Sequence, residues 1–238
     1  MSETPVTSSD GDEGKLPSLP IRLVQVFVSP IRLFEKLRDE PAAWGALLLG
    51  ALLSGAASLL IPMELWENMM RTQITQAGQP IPDDLSMPAT FARIAGSVGP
   101  LVFFPIMGAI GAGLYSLLFL FGMGYEGRYA QYFAVTAHAL LLMAVAAALL
   151  TPLRILTGNL QFTVTLGALF PFLGDGLFAR FLNLADLFSL WTVGLVGVGA
   201  AVIDGTKRPG PSAAIAIFAL LLILLFVAGV FGVGARPG

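Results

Sequence analysis

The stretch AAIAIFALLLILLFVAGVFGVG, residues 213–234, carries no charged or polar side chain. As a helix it is about long enough to cross the ~30 Å hydrocarbon layer of a bilayer. Similar uncharged runs occupy 42–63, 94–125, 129–153 and 187–203. A soluble domain could bury one such run, but a series of them has to be covered by lipid. Composition supports this. Of 238 residues, 56% are hydrophobic and 12% charged, and mean hydropathy is +0.81. Soluble domains are nearer about one-quarter charged. The sequence therefore predicts an all-α fold: a polytopic transmembrane bundle of about five spans, at 42–63, 96–122, 129–153, 185–203 and 213–234.

The segments between the spans are informative. Residues 1–20, MSETPVTSSDGDEGKLPSLP, are polar, acidic and rich in Pro, Gly and Ser. They lack the basic start and apolar core of a secretory signal and read as a disordered cytoplasmic tail. Residues 21–238 form the transmembrane domain. VQVFVSPIRLFEKLRDEP (24–41) reads as an amphipathic helix in the headgroup layer. Ser29 and Pro30 stand at its N-cap and first turn, Ile31, Phe34 and Leu37 lie on one face, and Pro41 ends it. Residues 64–93 read as a polar loop. Residues 155–180 begin with a long uncharged run but hold Asn159, Gln161, three threonines and Pro171. They read as a re-entrant or interfacial segment, because those side chains are costly among lipid tails.

Lys and Arg bias sets orientation. With five spans and the N-terminus inside, the inner segments hold Lys15, Arg22, Arg32, Lys36, Arg38, Arg128, Lys207 and Arg208. The outer ones hold Arg71, Arg93, Arg154, Arg180 and Arg236. Eight against five favours a cytoplasmic N-terminus in a multi-pass protein of the cell membrane. A sixth span through 155–180 leaves that ratio unchanged.

Three stretches carry a resemblance. VFVSPIRLFEKLRDEPAAWGALLL (26–49) has a Ser-Pro, a Phe four residues after the Pro, a basic patch, and a second Pro before the first span. FLNLADLFSLWTVGLVGVGAAV (181–202) has a Leu/Asp/Phe cluster, then Trp, then a Gly-rich helix. GYEGRYAQYFAVTAHALL (124–141) has a Gly-rich turn leading into a helix of small and aromatic residues. In this order they resemble prokaryotic Yip1-domain membrane proteins over about residues 24–204, although such proteins often carry Tyr where this chain has Ala137 and His138. The resemblance implies an α-helical bundle of about five spans with a cytoplasmic N-terminus. Eukaryotic relatives are associated with vesicle traffic and small GTPases. The prokaryotic branch implies no defined reaction, and fold likeness alone carries no function.

Candidate binding residues are few. Asp186 precedes 17 uncharged residues, and an acid at membrane depth is a natural proton or cation site. The spacing favours a helix-start signal instead: Asn183 as N-cap makes Asp186 the N3 residue, where a negative charge suits the helix dipole. His138 is the one histidine, inside the third span. Its expected role is a hydrogen bond to a neighbouring helix; the alternative is a proton relay. Asp175 could share a helix face with Asp186, but its flanking Gly174 and Gly176 predict a turn. With no cysteine, thiol catalysis and disulfides are excluded, and no metal or cofactor is expected. No P-loop, GxSxG or HExxH motif occurs. No basic stripe suggests nucleic acid. Expected partners are the lipid bilayer and, through small-residue stripes, other membrane proteins or further copies of the chain. The reading is a non-enzymatic scaffold or adaptor. Its alternative is a small transporter or channel subunit using His138 or Asp186.

Overall fold

A computed structural model describes residues 16–174, 176–206 and 208–232. Most of the tail and Asp175 fall outside the described residues. Those described form helices and connecting turns, with one isolated bridge between Thr165 and Asp186.

The amphipathic segment is two helices, α1 (Leu19–Val28) and α2 (Pro30–Asp39), meeting at Ser29–Pro30. Proline lacks the N–H and fixes φ, so it starts the second helix easily and could not continue the first. The buried face of α2 is Leu33, Phe34 and Leu37; Ile31 points outward at 43% exposure. These side chains join Val26 of α1 in the main core, against Val196 and Ala200. Protein rather than lipid takes up this apolar face.

α3 (Trp44–Leu59) bends by 93° into α4 (Met63–Gln76). The expected polar loop is in fact α4 and α5 (Ser86–Val98). Only the segment between them holds a density of prolines and glycines sufficient to break a helix. α6 (Pro100–Ser116) continues as a π-helical turn to Gly122. α7 (Tyr129–Thr157) follows after a turn in which Gly124 and Gly127 have φ of +70° and +146°, conformations that glycine adopts without strain. Residues 158–174 hold turns and a short 3-10 helix at Leu166–Leu169, and no described helix there is long enough to cross a membrane. α8 (Leu177–Leu184), α9 (Leu187–Asp204) and α10 (Pro209–Gly232) complete the chain.

Among the described residues, four helices are long and apolar enough to cross a membrane, or five if the bent α3–α4 pair counts as one. α7 is the central element. It packs against α3, α6 and α9, and α1 crosses it. Small residues set these crossings. A Cβ on Gly55 would run into the Ser97 carbonyl of α5, and one on Gly199 into Val135 of α7. Close approach is the common use of such residues between membrane helices.

The end of the bundle near α2 is knitted by polar contacts. Gln131 Nε2 donates to the Arg38 carbonyl at 2.7 Å, and its Oε1 accepts from the Arg128 amide at 2.7 Å. Arg38 Nη1 donates to Val202 O, the Glu126 amide donates to Asp204, and the Tyr125 and Ser212 hydroxyls share a 2.7 Å bond. Gln131 is 8% exposed, and Gln131→Ala removes the part-buried bonds to the Arg38 carbonyl and the Arg128 amide, at about 1 kcal/mol each. The variant is expected to melt earlier, with faster proteolytic cutting around Arg38–Glu40 than in the unmodified protein. Equal cutting rates would show that Gln131 does not hold α2 down.

Candidate functional site

His138 lies on α7 beneath α1 and is fully buried. Its Nδ1 sits 2.8 Å from the Ala134 carbonyl of its own helix. The bond expected to a neighbouring helix is therefore made within α7, because the carbonyl four residues back is the nearest acceptor. A carbonyl can only accept, so the proton is on Nδ1 and Nε2 presents a lone pair. That nitrogen has no partner. Arg22 of α1 is its charged neighbour. Arg22 Nε and Nη1 and Gln25 Oε1 are likewise buried without partners. Burial lowers the Arg22 guanidinium from its usual value, and Glu40 opposes this. The result is a small set of unmet donors and acceptors between α1 and α7. Burial of this kind is tolerable only where the surrounding packing holds it in place.

The sequence reading names no charged neighbour for His138, and Arg22 stands beside it. The signal was present: LPIRLVQVFV (19–28) has one charge and one amide, three residues apart on a single helical face.

Asp186 is itself the N-cap of α9, with extended backbone, and its Oδ1 accepts from the Ser189 amide at 2.8 Å. Asn183 lies inside α8 instead of capping α9. The reason is tertiary. Residues 164–166 pair with 185–187 through Leu166 N to Ala185 O and Leu187 N to Val164 O. That pairing keeps 185–186 extended and delays the helix by three residues. Asp186 also accepts from the Thr163 hydroxyl and interacts electrostatically with Arg154. Arg154 donates its Nε to Phe162 O at 3.1 Å. Both carboxylate oxygens of Asp186 thus serve the local fold. Asp186→Ala is expected to lower stability by about 1 kcal/mol, the usual worth of a cap, and Asp186→Asn by much less. Thermal melts of both variants check this. Equal loss in the two would mean that the charge matters more than the cap.

His138 and Asp186 are therefore held in separate settings, one under α1 and one at the start of α9. Trp66 is 8% exposed. Trp44 and Trp191 are 69% and 47% exposed.

A sequence model of the Yip1 domain matches residues 24–231. Membrane protein YknW of Bacillus subtilis (strain 168) is 26% identical over 240 aligned residues, covering 95% of this chain and 96% of its own. No solved structure gives a significant match.

Proposed function

The chain belongs to the Yip1-domain family of membrane proteins, and we propose that it acts without catalysing a reaction, as a scaffold or adaptor organising neighbours in the cell membrane with its N-terminus in the cytoplasm. The observation that carries this reading is how its membrane-depth polar groups are used. Asp186 caps a helix, and His138 is bonded to its own backbone under α1. A transporter needs such groups accessible to a solute. The apolar surface supports the same reading. The spans of α7 and α9 are each 61% buried, whereas those of α6 and α10 are 22% and 11% buried. Two long helices thus offer open apolar faces to lipid or to the helices of other membrane proteins.

In-membrane crosslinking followed by affinity capture and mass spectrometry tests this. A few reproducible partners, crosslinked from positions on α6 or α10, are the expected result. Recovery of the chain alone would overturn the adaptor reading. Transport is the second reading, favoured by the unpartnered His138 Nε2 beside Arg22. It requires that His138→Ala abolish a solute flux measured in liposomes.

A further inference from the structure

At the end of the bundle away from α1 and α2, the bent pair α3–α4, the helix α5 and the segment after α7 enclose two adjoining hollows. The inner one has a volume of about 220 Å³ and the outer about 300 Å³. Met69 and Leu160 border both. The outer hollow is polar, with Asn68, Thr72, Asn159 and Gln161 around it.

The inner hollow is lined by Ser58, Trp66, Thr151 and Arg154 over walls that include Ile61 and Met69. Thr151 satisfies its hydroxyl on the Ala147 carbonyl, as Ser97, Ser116 and Thr157 do on their own helices. Ser58 and Trp66 differ. Each is 8% exposed, and among the described residues neither Ser58 Oγ nor Trp66 Nε1 has a hydrogen-bond partner. An indole N–H can only donate, so Trp66 needs an acceptor. Gly96 keeps these two side chains in place: a Cβ there would lie 2.7 Å from Ser58 Oγ and 2.7 Å from the Trp66 ring. Arg154 supplies positive charge and is the charged member of the lining among the described residues. Its neighbour Asp186 accepts from Ser189 and Thr163. The inner hollow therefore presents an indole N–H, a hydroxyl and a guanidinium, and among the described residues no carboxylate stands in its lining.

We propose that this cleft binds a small amphiphile with a carboxylate or phosphate head. The head takes the hydrogen bonds of Trp66 Nε1, Ser58 Oγ and the Arg154 guanidinium. The apolar stem lies along Ile61, Met69 and Leu160, and the polar outer hollow is the way in. The same chemistry is offered by a soluble organic acid and by a phospholipid headgroup.

The test uses the full chain in nanodiscs of zwitterionic lipid, with Trp44→Phe and Trp191→Phe so that Trp66 alone fluoresces. Hexanoate and dihexanoyl phosphatidylglycerol are titrated separately. A saturable change in Trp66 emission is expected with at least one. Saturation by hexanoate assigns a soluble acid, and saturation by the lipid alone assigns a headgroup. Arg154→Gln is expected to weaken binding about tenfold, as loss of a charge-assisted bond does. Arg154→Lys recovers part of this, which a merely structural role in tethering Phe162 would not predict. Ser58→Ala, which leaves that tether untouched, weakens binding to a smaller degree. No saturable response to either probe overturns the proposal. So does an unchanged midpoint in both Arg154→Gln and Ser58→Ala.

Discussion

Gly197→Leu is expected to prevent the bundle from assembling. A Cβ at Gly197 would stand 2.5 Å from the Ser212 carbonyl and 2.6 Å from Ala213 Cα. Both are backbone atoms of α10, so no rotamer change relieves the clash, and α9 and α10 must separate. Overpacking of a tight contact costs about 1–3 kcal/mol even where side chains can move. Here the obstacle is main chain and the intruding group is a full isobutyl, so the loss belongs at or above the top of that range. Fluorescence-detected gel filtration should show a collapsed monodisperse peak. Gly113→Leu is the control. No atom lies within 4 Å of a Cβ at that position, and this variant should run and melt like the unmodified protein. Equal behaviour of the two would mean that the α9–α10 crossing does not depend on Gly197.

His138→Lys is the second large effect. The position is fully buried, and its charged neighbour is the Arg22 guanidinium. A second cation there adds to Arg22, which already draws on Glu40: α3 and α6 carry no charged residue, and the one on α9 is Asp204, at its far end. An uncompensated buried charge destabilises by about 3–5 kcal/mol. Expulsion of α1 from α7 is the expected escape, read as new proteolytic cutting within Leu19–Val28 and a lower melting temperature. His138→Leu removes the ring without adding charge, and it should keep the fold and leave α1 protected. If His138→Lys were as stable as His138→Leu, the packing of α1 over His138 would be wrong.

The site was less legible in the sequence than the spans were. Asp186 was recognisable as a helix start because a lone acid before an apolar run has few other uses. That it caps α9 directly, with Asn183 left inside α8, depends on residues 164–166, about 20 positions away, holding 185–187 extended. Trp66 lies just beyond an apolar run, a place where tryptophan commonly anchors at the membrane surface. Only the 93° bend at Leu59–Met63 turns it inward beside Ser58 and Gly96. α4 and α5 were hidden by the prolines between them, which made a helical pair resemble one polar loop.

What the sequence determined by itself was the solvent this chain folds in and that its long helices are apolar enough to cross a membrane. Uncharged runs of bilayer length leave few alternatives, because every backbone polar group in lipid must be bonded within its own helix. Tertiary structure alone decided which helix faces are covered. Along α7, Leu141 and Leu142 are as apolar as Leu149, yet the first two are sealed and Leu149 is 64% exposed. In water, hydrophobicity would separate inside from outside. In a bilayer both sides are apolar, so the choice passes to shape: where a glycine admits a neighbour, where a proline or a bend turns the chain, and which buried polar atoms then meet.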